Sequence, residues 1–224
     1  MAPDRLPTGI ASIDALLDGG LDTDGLTELY GEGGSGKTIV CLQITQRVAL
    51  QGDWVLYIDT EGVSVARLEA VSQGRFQEVL HRLLLSTPHD LAEQTQAVES
   101  ACTLARDRER RIGLIVLDSA TFYYRLTLSE PDGEEGREAL ALELAHLLST
   151  AVSTATPVLF TNQVWRNLTT GTLEPLGGSF VNHVAKTILR FDRLEGNRRR
   201  AVLLKHRSLP ERSTEFRILS TGVE

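Results

Sequence analysis

The residues best suited to do chemistry form a glycine-rich segment near the start of the chain. Gly31-Glu32-Gly33-Gly34-Ser35-Gly36-Lys37-Thr38 matches G-x-x-x-x-G-K-[ST] at every fixed position. The glycines let backbone N–H groups wrap around an anion, the lysine reaches the β- and γ-phosphates, and the threonine hydroxyl is offered to Mg²⁺. The motif therefore predicts binding of a nucleoside triphosphate with Mg²⁺, rather than a turn that only caps a helix.

Two apolar segments end in carboxylates. Asp118 follows a run of isoleucine, leucine and valine, and in phosphate-loop enzymes such an aspartate holds Mg²⁺ through water, beside Thr38. Asp59 and Glu61 follow another apolar run. Glu61 is the candidate general base, since its carboxylate could align a water molecule on the γ-phosphorus. The alternative is that Asp59 or Glu61 caps the next helix.

A third apolar segment ends in amides, at Asn162 and Gln163. A neutral amide at the nucleotide edge of a sheet could sense the presence of a γ-phosphate. Gln163 is therefore predicted to switch the loop that follows it.

The elements that must position these residues follow a regular order. Apolar runs alternate with helical periodicity, which is typical of a mainly parallel sheet with helices on both faces. The predicted strands are Leu26–Tyr30, Trp54–Asp59, His81–Ser86, Ile112–Asp118 and Val158–Asn162. The predicted helices are Ile39–Leu50, Ser64–Gln73, Asp90–Arg106 and Arg137–Ser153.

After Gly178 the pattern changes to closely spaced strands. Lys186–Leu194, Arg200–His206 and Thr214–Leu219 are predicted to form antiparallel hairpins that extend one edge of the sheet. The fold class is therefore α/β, of the phosphate-loop NTPase type. With 224 residues the chain can bury one substantial core, so residues 1–224 are expected to form a single domain.

Charge is unevenly distributed along the chain. The formal net charge is −7, which argues against a uniformly basic nucleic-acid binder. From Lys186 to Arg212, however, nine Lys or Arg oppose three acidic residues. This segment is either a solvated strand pair or a surface for nucleic acid or a protein partner. There is no apolar run of membrane-spanning length and no leader pattern, so we expect a soluble, cytoplasmic protein.

Several blocks, in this order and spacing, resemble a RecA-type ATPase core, most closely the archaeal RadB branch of the RadA recombinase family. The resemblance covers nearly the whole chain. Besides the glycine-rich motif it rests on Leu6-Pro7-Thr8-Gly9, Leu16-Leu17-Asp18-Gly19-Gly20, Tyr57-Ile58-Asp59-Thr60-Glu61-Gly62, Leu117-Asp118-Ser119-Ala120-Thr121, Thr161-Asn162-Gln163-Val164, Leu176-Gly177-Gly178 and Lys205-His206-Arg207-Ser208-Leu209-Pro210-Glu211.

The resemblance implies a role in DNA repair and homologous recombination, with ATP and Mg²⁺ bound, in the cytoplasm and nucleoid of an archaeal cell. It makes Glu61 the catalytic glutamate, and Gln163 the residue that couples nucleotide state to a second DNA loop. Lys205 and Arg207 resemble a K-x-R element that reaches the γ-phosphate bound by a neighbouring subunit, which would require a homo-oligomer. The alternative for this pair is a basic strand end. A RadA-type recombinase and a Holliday-junction resolvase are the implied partners.

Departures from the recombinase pattern limit these expectations. An N-terminal DNA-binding domain and a polymerisation segment are not recognised in the sequence. The first candidate DNA loop, 125–137, is acidic and would repel phosphate. The second, 165–177, offers Trp165 and Arg166, which could stack weakly on unpaired bases, although a solvated loop is the alternative. We therefore expect a very weak, DNA-independent ATPase that binds DNA but does not itself promote strand exchange.

Two other functional classes remain open at this point. A KaiC-like regulatory ATPase domain shares the glycine-rich motif and the Lys205-x-Arg207 element. A small-molecule kinase shares the motif, but Glu61, Gln163 and the lack of an arginine-rich lid argue against it. A structural role, with nucleotide used only to stabilise the fold, is also compatible with the sequence.

Overall fold

The computed structural model describes residues 4–107, 109–128, 133–166 and 172–224. The strands are β1 (Arg5–Leu6), β2 (Leu21–Asp22), β3 (Leu26–Gly31), β4 (Trp54–Asp59), β5 (Leu83–Ser86), β6 (Ile112–Asp118), β7 (Val158–Asn162), β8 (Val164–Arg166), β9 (Leu173–Pro175), β10 (Thr187–Arg193), β11 (Arg198–Lys205), β12 (Arg212–Leu219) and β13 (Gly222–Val223). The helices are α1 (Ala11–Leu16), α2 (Lys37–Leu50), α3 (Val65–Ser72), α4 (Phe76–Leu80), α5 (Leu91–Arg106), α6 (Phe122–Thr127), α7 (Gly133–Thr154) and α8 (Gly178–Val184).

The central sheet has the strand order β13-β12-β11-β10-β3-β7-β6-β4-β5. Neighbouring strands from β10 to β5 are parallel, whereas β11, β12 and β13 continue one edge with antiparallel pairs. This arrangement confirms the predicted α/β class and the predicted antiparallel extension. Parallel strands direct their carboxyl ends to the same edge, so the ends of β3, β4, β6 and β7 meet there.

Each face of the sheet is covered by helices. Successive residues of a strand point to opposite faces. Accordingly Val55 and Tyr57 of β4 join the core under α2, α3 and α4, whereas Leu56 and Ile58 join the core under α5 and α7. Burial on both faces explains why the central strands are almost continuously apolar in sequence. Within the described ranges, no helix has the length and apolar character needed to cross a membrane.

Some predicted boundaries differ from the observed ones. Strand β5 begins at Leu83 rather than at His81, because Phe76–Leu80 forms a helix and His81 ends it. Helix α7 begins at Gly133 rather than at Arg137. Glycine usually disfavours a helix interior, but Gly136 packs so closely against Thr127 that an added Cβ would lie 2.1 Å from the threonine hydroxyl. Gly136 therefore permits close packing of α7 against the end of α6.

Candidate nucleotide-binding site

The phosphate loop, Gly31–Thr38, joins the carboxyl end of β3 to the amino end of α2. Gly31 has φ 154°, and a Cβ there would lie 2.3 Å from the backbone oxygen of Phe191 on β10, so only glycine fits. The Lys37 ammonium donates hydrogen bonds to the carbonyl oxygens of Gly31 (2.8 Å) and Glu32 (3.2 Å). Lys37 is thus held over the loop, and the positive end of α2 points into it.

Asp118 is held by hydroxyl groups at the end of β6. Tyr57 donates to one carboxylate oxygen at 2.8 Å and Thr161 donates to the other at 2.5 Å. Burial raises the pKa of Asp118, while hydrogen bonds from Thr161, Tyr57 and Thr38 lower it. The contact between Thr38 and Asp118 brings together the two groups predicted to bind Mg²⁺, and this pairing of a hydroxyl with a carboxylate suits that ion.

Carboxylate-rich metal sites are absent from the part of the chain that the structure describes. Among the described residues, no group of three or more His, Cys, Asp or Glu side chains could hold a metal ion. A Mg²⁺ ion at Thr38 and Asp118 would therefore complete its oxygen coordination with phosphate and water, as phosphate-loop sites do.

Glu61 and Gln163 are in direct contact. The Gln163 amide donates to a Glu61 carboxylate oxygen at 2.8 Å, across 102 positions of sequence. Asp59 shapes the turn that carries Glu61, because its carboxylate accepts N–H groups from Glu61, Gly62 and Val63 at 3.2, 2.8 and 2.5 Å. The helix cap considered for Asp59 or Glu61 is instead supplied by Ser64, the N-cap of α3. Glu61 itself is left exposed.

A cavity of about 550 Å³ opens over the phosphate loop. It brings together residues from all four predicted segments, since Lys37, Thr38, Glu61, Asp118 and Gln163 all line it. Arg67, Arg125 and Arg199 also line the cavity and give its wall a positive charge. A concave site with convergent polar groups and cationic side chains suits an anionic ligand.

Lys205 and Arg207 are not part of this cavity. Strand β11 runs antiparallel to β10. Arg199 therefore pairs with the end of β10 that lies beside the phosphate loop, whereas Lys205 pairs with the beginning of β10, toward the opposite edge of the sheet. Lys205 donates to the carbonyl oxygens of Asn182 and Ala185. Arg207 forms a bidentate pair with Asp24 at 2.9 and 2.7 Å. Neither cation can act on a phosphate bound at the loop of its own chain.

Trp165 and Arg166 lie in β8, immediately after Gln163. Strand β8 pairs with β9, so both ends of the second candidate DNA loop form a short antiparallel hairpin. Trp165 is 46% exposed, as expected of a side chain available for stacking. Residues 167–171 of this loop lie outside the described residues, as do residues 129–132 of the acidic first loop.

Comparison with known proteins assigns the family. The sequence matches the family model for Rad51 over residues 4–224. It is 41% identical over 221 residues to the DNA repair and recombination protein RadB of Thermoplasma acidophilum, covering 98% of this chain and 93% of that protein. The chain belongs to the Rad51 family, in its RadB branch. RadB proteins of Methanoculleus marisnigri (37%, 100% and 99% covered) and Methanococcoides burtonii (34%, 98% and 97% covered) are similarly related.

Membership of the Rad51 family confirms the resemblance drawn from the sequence motifs. The structure adds supporting roles that the sequence did not assign to Asn162 and Thr121. Asn162 is fully buried; its amide group donates to Glu28 and to the Leu176 carbonyl oxygen, both at 2.8 Å, and accepts from Thr121 at 2.9 Å. The Thr121 hydroxyl also accepts from the Gln163 N–H at 3.1 Å. The backbone at Gln163 is therefore anchored to the core of this Rad51-family chain.

The signal for these residues was present but ambiguous. Tyr57, Thr161 and Asn162 each occur near the end of an apolar strand, where a polar residue is unusual in a buried position. The pairing of β4, β6 and β7 makes them neighbours, and this pairing joins residues far apart in sequence.

Proposed function

We propose that this chain is an accessory protein of DNA repair and homologous recombination that binds ATP, Mg²⁺ and DNA. The observation that carries the proposal is the hydrogen bond between Glu61 and Gln163 beside the phosphate loop. Gln163 directly precedes β8, which leads into the second candidate DNA loop. Glu61, which lines the nucleotide cavity, is thereby connected through Gln163 to a segment suited to binding DNA. The names of the RadB relatives support the assignment to repair and recombination.

Binding and chemistry are divided among the cavity residues. Lys37 and the N–H groups of the phosphate loop bind the triphosphate, and Thr38 and Asp118 bind Mg²⁺. Bound Mg²⁺ would neutralise charge on the β- and γ-phosphates. Glu61 orients the attacking water and accepts its proton, and Gln163 holds the carboxylate in place.

Hydrolysis by the isolated chain is proposed to be slow and independent of DNA. Lys205 and Arg207 are too far from their own phosphate loop to stabilise charge there, so they would act only on a nucleotide bound by a neighbouring copy in a homo-oligomer. Arg207 must also leave Asp24 to do so. ATP binding by the protein therefore regulates its contacts with DNA and with recombination partners. The isolated protein does not promote strand exchange.

DNA and protein partners follow from the same proposal. Trp165 and Arg166 would contact single-stranded or branched DNA weakly, because one aromatic and one cation provide few contacts. A RadA-type main recombinase and a Holliday-junction resolvase are the proposed protein partners. Residues 1–224 would act as one RecA-like ATPase core, working in the cytoplasm at the nucleoid.

Nucleotide binding is tested by calorimetric titration of ATP with Mg²⁺. Lys37→Ala should abolish measurable binding, since the ammonium and its loop contacts are lost. Lys186→Ala is the matched control, because it also removes a lysine but one that does not line the cavity. Wild-type affinity in Lys37→Ala, or loss of binding in both variants, would contradict the proposed site.

DNA binding is tested by fluorescence anisotropy over a range of salt concentrations. Affinity for single-stranded DNA should fall steeply with salt, which would report phosphate contacts. The double variant Trp165→Ala/Arg166→Ala should lose binding. Arg198→Ala/Arg200→Ala removes two exposed arginines from the C-terminal strands and should retain it. Loss only in the second double variant would move the DNA site to the basic C-terminal segment.

A further inference from the structure

Three consecutive arginines begin strand β11, and the strand separates them. Arg198 and Arg200 are exposed and both contact Glu215 on β12. Arg199 points to the other face, as the alternation of a strand requires, and is only 9% exposed. The basic run is thus two surface arginines and one inward arginine with a different environment.

Arg199 reaches the phosphate loop. Its Nε donates to the carbonyl oxygen of Gly34 at 3.0 Å, across 165 positions of sequence. Its Nη1 donates to the carbonyl oxygens of Gly196 and Arg198 at 3.1 and 2.7 Å, which ties the guanidinium to its own hairpin. The planar group is therefore fixed on one side by the turn between β10 and β11 and the start of β11, and on the other by the phosphate loop.

The position of this contact matters for anion binding. A phosphate cradle works because its N–H groups point inward, so the carbonyl groups of the same loop must be satisfied elsewhere. Gly34 lies in the middle of the loop, at φ 75°. A guanidinium bound to its carbonyl oxygen keeps that oxygen engaged and away from the anion. Arg199 also lines the cavity, so its charge favours a polyphosphate there.

We propose that Arg199 is a positioning residue that holds the phosphate loop in its anion-binding conformation from the C-terminal hairpin. The hydrogen bond to Gly34 in the structure, together with burial of Arg199 beside the cavity, carries this inference. The inference rests on the proposed function, since it assumes that the loop binds a triphosphate. It extends that function by making Arg199, a residue outside every recognised motif, part of the nucleotide site.

The test uses two probes that share the phosphate chain, ATP and inorganic tripolyphosphate, each titrated with Mg²⁺ by calorimetry. Arg199→Gln should weaken both about tenfold, as expected for loss of one charge-assisted hydrogen bond and a nearby positive charge. Arg199→Lys keeps the charge but not the planar fork, so it should lie between Arg199→Gln and wild type. Arg200→Gln, on the exposed face of the same strand, should match wild type.

Amide hydrogen exchange provides a second measurement on the same proteins. The N–H groups of residues 34–36 should exchange faster in Arg199→Gln than in Arg200→Gln, with thermal melting used to verify folding. Wild-type tripolyphosphate affinity in Arg199→Gln would overturn the inference. If Arg199→Gln does not fold, Arg199→Lys takes its place. Wild-type tripolyphosphate affinity in Arg199→Lys, with unchanged amide exchange at residues 34–36, would then overturn the inference. A wild-type protein that binds neither probe would instead refute the proposed function itself.

Discussion

Glu28 should make the stability of this protein fall as pH rises. It lies fully buried in β3; one carboxylate oxygen accepts from the Asn162 amide at 2.8 Å, and the other has no hydrogen-bond partner among the described residues. Burial raises the pKa of Glu28 from 4.5 to about 7, although Asn162 and the charge of Lys205 act in the opposite direction. The folded chain thus strongly favours the protonated carboxyl group.

The sign and size of the effect follow from proton linkage. Between pH 4.5 and about 7 the folded state binds more protons at Glu28 than the unfolded state does, so the free energy of unfolding decreases as pH rises through this window. The difference between the two pKa values corresponds to about 3 kcal/mol at the upper end of the window. Above about pH 7 this contribution of Glu28 to the free energy of unfolding is lost completely, and below pH 4.5 it is fully present.

Glu28→Gln removes this ionisation and keeps an oxygen that can accept from Asn162. Urea unfolding of wild type and variant should be compared between pH 5 and pH 8. The stability of the variant relative to wild type should increase by about 2.5 kcal/mol over this range, which is about 5–10 °C in melting temperature for a chain of this size. Glu138→Gln, at an exposed position of α7, is the control. A relative stability of Glu28→Gln that does not change with pH would refute the reasoning, and so would an equal change in Glu138→Gln.

Three further outcomes are expected. Tyr57→Phe removes one donor to Asp118 and should cost about 2 kcal/mol of stability in urea unfolding, because the carboxylate is buried; an unchanged midpoint would contradict this. Asp59→Ala releases the N–H groups that fix the turn carrying Glu61. The steady-state ATPase rate should therefore fall while ATP affinity is largely kept, and equal losses of rate and affinity would contradict this by indicating a binding role. Burial raises the pKa of Glu143 to about 7, so the stability of Glu143→Gln relative to wild type should also increase with pH. A relative stability of Glu143→Gln that does not change with pH would contradict this expectation.

Much of the fold could be predicted because local pattern and tertiary environment agree. Strands β4, β6 and β7 were predicted to the residue, since each is an apolar run that ends in a polar residue at the sheet edge. The glycine-rich motif likewise has its strand, loop and helix in the expected order. Here the sequence around each element already contains the information that positions it.

Other features depend on contacts between distant segments. The sequence predicts β3 as a strand but gives Glu28 no role. Glu28 is buried because β3 lies inside the sheet, between β7 and β10, and helices cover both faces. From the sequence, Arg199 is one residue of a basic segment. In the structure, the pairing of β10 with β3 places it against the phosphate loop. Such placements come from sheet order, and sheet order is not encoded near the residues concerned.

We propose above all that the nucleotide site controls DNA contacts through Gln163. The most direct measurement is the affinity for single-stranded DNA, with and without saturating ATP and Mg²⁺, for wild type and Gln163→Ala. ATP should change the affinity of the wild-type protein at least fivefold, the lower end of ordinary coupling between two sites, and should leave that of Gln163→Ala unchanged. An equal response to ATP in both proteins, or no response in wild type, would contradict the claim.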